Sequence, residues 1–523
     1  MARILVTEEL AERGLQTMRD GGHEVDIRLD LSPQELLEAV VGAHALVIRS
    51  ATTVTAEVLA AGRDLVVVGR AGIGLDNVDV AAATAQGVMV VNAPQSNILT
   101  TAEHTLALLL SQARNVPQAN AALKAGKWQR SKWEGVELYG KTLGVVGLGR
   151  IGTLVAQRAL AFGMRLAAFD PYVSRERARQ LGVELMTLEE LVGQADFLTI
   201  HAVKTKETLN MINADLLAKA KPGLRIINVA RGGLINEAEL ADAIRSGHIG
   251  GAAIDVFATE PTTESPLFEL DQVVVTPHLG ASTKEAQDKA GQTIAEMTLL
   301  ALAGEFVPFA VNVQAQEASE AVRPYLPLAE RLGRVLASLV QGIPTTLEVG
   351  YQGGLADHDT SLLTLSVLKG VLGAGIDDPP VSYVNAPQLA RERGLEFKET
   401  RTSASHDYVN LVTIRGGDHA VAGTLSGPSE KPRIVMVDDH AVDVPPARHM
   451  LVVRNDDRVG MIRLVATALA EAEVNIDNMA LGQSPTGDTA LMILATDGPV
   501  PTEVLAALAA SPGILDVHAV SEA

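Results

Sequence analysis

The chain has 523 residues, more than one hydrophobic core can organise, so about three or four domains are expected. Apolar residues make up 47% and charged residues 20%, the balance of ordinary globular protein. A net charge of −20 argues against nucleic acid or an anionic membrane as the main partner, and the lack of cysteine excludes disulfides, thiolate metal sites and a cysteine nucleophile. No signal peptide is read at the start, where "MARILVTEEL" goes straight into a strand-like run. The apolar stretch at 106–110 is too short to span a bilayer, and a reducing cytoplasm is the expected location.

From residue 3 to about 91, short apolar runs alternate with helical stretches. "RILVT", "EVDIRL", "ALVIRS", "LVVVGR" and "VMVVNA" read as strands, and "SPQELLEAV" and "AEVLAAG" as helices. That alternation predicts a parallel sheet with both faces covered. One long helix is expected over 101–125, followed by a second alternating block from "TLGVVGLG" to "VVVTPHLG". The pattern changes near 314. "TTLEVGYQGG", "DYVNLVTIRGG", "HAVAGTLSG" and "PRIVMVDDHAVDV" are strand-rich, with helices between, and "DVPPARHM" marks a joint. The last segment, about 450–523, reads strand, helix, strand, strand, helix, strand, which is the split βαβ order.

"LGVVGLGRIG" sets Gly147, Gly149 and Gly152 in G-x-G-x-x-G register between an apolar strand and a helix over 153–162. A second strand, "RLAAFD", ends in Asp170, eighteen residues past the last glycine. Together these make the dinucleotide fingerprint: glycines for the tight turn and close approach to pyrophosphate, and an acid for the ribose hydroxyls. A carboxylate there repels a 2′-phosphate, so NAD is favoured over NADP. Arg231 in "RIINVARGGLI", Glu260 in "DVFATEP" and His278 in "TPHLGAST" follow at strand ends or just beyond. Singly, each has a bland reading as surface arginine, turn carboxylate or capping histidine. In an open α/β sheet, however, ligands bind outside the carboxyl ends of the strands. The residue types also suit hydride transfer from an alcohol: histidine to take the proton, a carboxylate to orient it, a guanidinium to grip a substrate carboxylate.

Several stretches together resemble the D-2-hydroxyacid dehydrogenase family, and within it the long branch that acts on 3-phospho-D-glycerate. They are "VIRSATTVTAEVL" (47–59), "VVGRAGIGLDNVD" (67–79), "NAPQSN" (92–97), "GKWQR" (126–130), "GKTLGVVGLGRIG" (140–152), "VARGGLI" (229–235), "AAIDVFATEP" (252–261) and "PHLGASTKEAQ" (277–287). The resemblance places Arg231, Glu260 and His278 in the catalytic positions. It implies cofactor contacts by Arg150, Ile151, Asp170, Ala230, Asp255 and the loop from His278 through Gly280, beside the three fingerprint glycines. It also implies phosphate-side roles for Arg49, Arg70 and Arg130, the last reaching into a neighbouring subunit, and carboxylate contacts near Ile73, Gly74 and Asn97. For Arg49 and Arg70 the alternative is a surface charge at a strand end. No metal is expected.

The C-terminal module resembles an ACT domain, whose loop "RNDDRVG" (454–460) and following "VNIDN" (474–478) put Asp457 and Asn475 at an effector site between subunits. L-Serine is the effector this implies, although Val459 stands where the family usually has proline. The alternative is a pairing module that holds no ligand. Residues 316–447 resemble the intervening domain of the long branch through "YVNAP" and "GGDHAVAGT". The basic residues Arg391, Arg393, Lys398 and Arg401 near it are read either as an anion site or as a solvated helix face.

The expected fold is α/β, with two Rossmann-like or flavodoxin-like lobes, an α+β intervening domain and a βαββαβ ACT domain. The expected boundaries are 1–96 with 286–315 for the substrate lobe, 97–285 for the NAD lobe, 316–447 and 448–523. The expected function is NAD-dependent oxidation of 3-phospho-D-glycerate by a homotetramer. The rivals are another hydroxyacid reductase and an NAD-binding sensor without catalysis.

Overall fold

The computed structural model describes residues 1–313, 319–374, 381–405, 407–427, 429–484, 487 and 489–521. Four sheets organise them. The first is five-stranded and parallel, with Arg3–Val6 between Glu24–Ile27 and Ala45–Ile48, then Val67–Arg70 and Met89–Asn92. Numbered within the lobe its order is 2-1-3-4-5, the flavodoxin-like arrangement. The second is seven-stranded and parallel, from Thr142–Val146 to Val273–Val275, and its order 3-2-1-4-5-6 plus one edge strand is that of the dinucleotide-binding folds. Strands such as Ala45–Ile48, Phe197–Ile200 and Gly251–Ile254 are buried at every residue, as a sheet covered on both faces requires.

Helix Lys284–Leu302 returns from the second lobe to the first and crosses Glu12–Asp20. The crossing is close because it is made of glycine: a Cβ on Gly14 would lie 2.7 Å from the Gly291 carbonyl oxygen. The long helix expected over 101–125 is two helices, Ile98–Ala113 and Val116–Lys124. Pro117 has no N–H to give the preceding turn, and Asn115 takes a left-handed φ of 51° to redirect the chain. The helix after the glycine turn begins at Arg150, earlier than expected.

The third sheet is mixed and six-stranded, and its edge strand Glu396–Thr402 went unread in the sequence. That strand is exposed at all 7 residues, so "EFKETRT" carries no alternation of apolar and polar positions. Lys398 and Arg401 therefore sit on a strand, paired with Glu348 at 3.2 Å and Glu399 at 2.8 Å, and not on a helix face. The expected boundary at 315/316 lies outside the described residues. On either side of it, Phe306 and Val313 pack against the third core, and Ser382 Oγ donates to the Gly87 carbonyl at 3.0 Å.

The fourth sheet, antiparallel in the order Ile476–Gln483, Ala490–Thr496, His449–Asn455, Ile514–Ser521, shows the expected βαββαβ chain path. Its strand alternation serves two cores. Leu451, Val453, Met492 and Leu494 face its own helices, whereas Met450, Val452, Leu491 and Ile493 join the core of the third sheet. The two units therefore share apolar surface. Ile493→Ala should cost about 2–5 kcal/mol, and calorimetry should show the transition of both units move down together. A shift confined to the last 75 or so residues would contradict the shared core.

Candidate functional site

The strand Thr142–Val146 ends in Gly147, whose φ of +93° brings it so close to the next strand that a Cβ would lie 2.8 Å from the His201 carbonyl oxygen. A Cβ on Gly152 would lie 2.1 Å from the Gly147 carbonyl oxygen, whereas one on Gly149 would meet nothing within 4 Å. The first and third glycines thus allow packing, and the second leaves an open approach. Gly149 also caps the helix Arg150–Ala161 with no side chain, so the first helical N–H groups stay available to an anion. The Asp170 carboxylate is fixed beside this turn, accepting from Leu148 N–H at 2.7 Å, Tyr172 N–H at 2.8 Å and Val173 N–H at 3.2 Å. A pyrophosphate at the bare helix end, with ribose against Asp170, fits these donors and acceptors. Ile151 packs on the helix's inner side, and Ala230 N–H bonds Asn228 Oδ1 at the end of strand Arg225–Asn228. His201, next to the turn, is held neutral by burial, its pKa pushed down to about 4.

The catalytic candidates lie beyond neighbouring strands of the same sheet. His278 Nδ1–H donates to Glu260 Oε2 at 2.5 Å, and Glu260 Oε1 accepts from Phe257 N–H at 2.8 Å. Burial alone would raise the Glu260 pKa, but these two donors and the histidine's charge hold it below the usual carboxylate range. The imidazole has its Nε2 left to meet a substrate. His278 itself stands at φ 55°, a left-handed conformation unusual for a side-chain-bearing residue. Asp255 secures it there. Wholly buried, it accepts from Leu279 N–H, Gly280 N–H and the Thr276 hydroxyl at 2.7, 2.9 and 2.6 Å, with His104 Nε2 at 3.2 Å. Asp255, expected as a cofactor contact, is thus the anchor of the loop that carries His278. His104 and Thr276 were not picked out in the sequence.

The opposing wall comes from the first lobe. Its Arg49 and Arg70, with Asn97 at the junction of the lobes, line one cleft of about 560 Å³ with Glu260 and His278. Arg231 reaches across and pairs with Asp76 at 3.2 Å. A Cβ on Gly72 would lie 1.6 Å from Arg70 Nη1 and one on Gly74 2.2 Å from Arg231 Nη2, so both guanidiniums rest on bare backbone. Asn92 Nδ2 holds this turn through the Ile73 carbonyl at 2.7 Å. Burial, then the nearby Arg231, pulls the Arg70 pKa down, and Glu8 and Asp76 partly offset this. Arg70 Nε and Asn97 Oδ1 are buried without a hydrogen-bond partner. Glu9 and Glu260 line the same cleft, so the guanidiniums form a local cationic grouping on one wall of it.

Two expected groupings are not formed within the chain. Arg130 is exposed on the turn Arg130–Trp133 and does not line the cleft. Asp457, which accepts from Gln483 Nε2 at 3.1 Å, lies beyond the end of the sheet where Asn455 and Gln483 both register with Ala490. Asn475, bonded to Asp497 and Asp477, precedes the opposite end, where Ile476 registers with Thr496. At the usual rise per strand residue the two are about 20 Å apart.

Residues 106–280 match the family model described as the D-isomer specific 2-hydroxyacid dehydrogenase NAD binding domain. Residues 321–438 match the D-3-phosphoglycerate dehydrogenase intervening domain, and 449–513 match the ACT domain. The D-3-phosphoglycerate dehydrogenase of Mycobacterium leprae is 49% identical over 97% of both chains, and that of Synechocystis 42% over 99% of this chain and 95% of its own. Among solved structures, the TT0316 protein of Thermus thermophilus superposes with a TM-score of 0.56 at 36% identity, covering 59% of this chain and 99% of its own. The glycine turn, the His278–Glu260 pair and the arginine-lined cleft thus occur in a chain that belongs to the D-3-phosphoglycerate dehydrogenase family.

Proposed function

We propose that the cleft oxidises 3-phospho-D-glycerate to 3-phosphohydroxypyruvate with NAD, the first step of L-serine biosynthesis. The observation that carries this is that Arg49 and Arg70 line the cleft that holds the His278–Glu260 pair, with Arg231 near enough for its charge to act on Arg70. When bound at the glycine turn, NAD supplies the hydride acceptor. His278 Nε2 takes the proton of the 2-hydroxyl as the carbonyl forms, and returns it in the reverse direction. Glu260 keeps the ring oriented by accepting from Nδ1–H, which leaves Nε2 to handle the proton. Arg231 can span the substrate carboxylate and 2-oxygen with its fork, which leaves Arg49 and Arg70 for the phosphate. Asn97 and the Ile73–Gly74 backbone lie on the carboxylate side. Closing of the two lobes would exclude water. The lobes divide, in this reading, as 1–96 with 286–315 and 97–285, followed by regulatory units over 316–447 and 448–523.

The finer assignments rest on surface features. Helix Val116–Lys124 buries none of its residues, and Val116, Leu123, Trp128 and Tyr139 are exposed nearby, which supports subunit contacts there and a role for Arg130 across them. Asp457 and Asn475, separated in one chain, could share an effector such as L-serine only between two chains, and a homotetramer supplies such pairs. A cytoplasmic location suits the cysteine-free composition.

Steady-state kinetics should give 3-phosphoglycerate a kcat/KM at least about 100-fold above D-glycerate, the scale of leaving a buried polar group unsatisfied. Equal turnover would point to a different hydroxyacid. His278→Ala should lower kcat about 10²- to 10⁴-fold with NAD binding retained by fluorescence titration. Asp170→Ala should narrow the preference for NAD over NADP by at least about tenfold, the worth of 1.4 kcal/mol, and an unchanged ratio would remove the ribose role. Millimolar L-serine should inhibit the wild type and spare Asp457→Ala; a wild type indifferent to serine would end the effector assignment.

A further inference from the structure

Just past the strand Arg3–Val6, Glu8 does something for which the oxidation chemistry has no evident use. Its Oε1 accepts from Arg49 N–H at 2.8 Å and Thr52 N–H at 2.9 Å, and its Oε2 from Ser50 N–H and Ala51 N–H, both at 3.1 Å. Four successive amides converge on one carboxylate. Three of the residues that supply them, Arg49, Ser50 and Ala51, line the cleft. The same loop is held from its carbonyl side by Asn77 Nδ2, at 2.9 Å from Arg49 O and 2.6 Å from Thr52 O, and the Thr7 and Thr52 hydroxyls meet at 2.8 Å. A loop of four residues with this many ties is fixed in place, and with it the Arg49 side chain, whose Nη1 donates to the Glu9 carbonyl at 3.2 Å.

Only an ionised carboxylate can do this. It accepts on both oxygens, whereas an amide has one acceptor and would turn two N–H donors against the remaining loop amides. Glu8 is held in that form: burial raises its pKa, but the loop amides outweigh burial and bring it below the usual range. Glu8 is also an anion whose charge bears on Arg70. Because its oxygens are taken by the loop, it tempers the repulsion among the guanidiniums without closing the cleft to a second anion.

We propose that Glu8 is the positioning residue for phosphate specificity, gathering the amides of loop 49–52 so that Arg49 and Arg70 together meet the substrate phosphate. This rests on the reading of the cleft as a phosphoglycerate site. A positioning role of this kind changes affinity for the phosphorylated acid and leaves the proton and hydride chemistry at His278 intact.

The test compares 3-phosphoglycerate with D-glycerate in the full-length enzyme. Glu8→Gln should raise KM for 3-phosphoglycerate at least about tenfold, keep kcat within about twofold, and leave kcat/KM for D-glycerate within about twofold, a split set by binding rather than chemistry. Glu8→Asp, which keeps the charge, should retain more of the preference than Glu8→Gln. Asn77→Ala loosens the same loop without changing charge and should give the same selective rise in KM, which keeps the test open if Glu8→Gln does not fold. Equal losses on both substrates, or no loss on either, would overturn the proposal while the wild type still prefers the phosphorylated acid. A wild type with no such preference would overturn the functional reading and this proposal with it.

Discussion

The structure depends on holding like charges together. Arg70 ends a buried strand of one lobe and Arg231 follows a buried strand of the other, and both guanidiniums press on the turn that contains Gly72 and Gly74. Burial and mutual repulsion disfavour this arrangement, because a desolvated cation is costly unless an anion meets it. Asp76 and Glu8 offset the cost only in part. Two parallel sheets, a helix that returns from one lobe to the other, and a glycine contact between Gly14 and Gly291 bring the strand ends into one cleft. In the proposed reading, the substrate carboxylate and phosphate are the anions that these guanidiniums meet.

The histidine side of the cleft is built on the opposite principle, with each polar group matched. The Asp255 carboxylate is filled by two backbone amides, a hydroxyl and an imidazole, and burial acts against its ionisation while these donors keep its pKa low. That saturated anchor holds His278 in a left-handed backbone conformation, and Glu260 fixes the ring. In the proposed reading, the site sets a rigid proton acceptor opposite a wall that carries Arg49 and Arg70. Rigidity serves the reaction, since a small misplacement of the proton acceptor costs rate steeply.

Where the sequence was legible, the physics was local. The glycine turn, the buried parallel strands and the βαββαβ order each follow from a spacing of a few residues, and each is present in the structure. What escaped notice was set by partners distant in sequence. Glu8 acts on residues 49–52, and His104 on Asp255, and nothing beside them in the chain marks either role. The edge strand Glu396–Thr402 is exposed along its length and so lacks the alternation that reveals a half-buried strand. Asn115 breaks an otherwise helical pattern through a single left-handed residue ahead of Pro117. Asp457 and Asn475 are close in sequence yet at opposite ends of a sheet, because a parallel connection carries the chain back along a helix.

In the proposed reading, Arg70 is kept at the expense of stability so that a phosphorylated acid can bind. This is tested most directly by the thermal unfolding midpoint of the wild type and of Arg70→Met, each with and without 3-phosphoglycerate. A ligand that binds the folded state raises the midpoint by mass action, and removing a partly buried cation whose desolvation is only partly offset relieves that cost. Arg70→Met should unfold at or above the wild-type midpoint without ligand, and only the wild type should gain from 3-phosphoglycerate. A variant that unfolds earlier than the wild type and still gains fully from the ligand would contradict this reading.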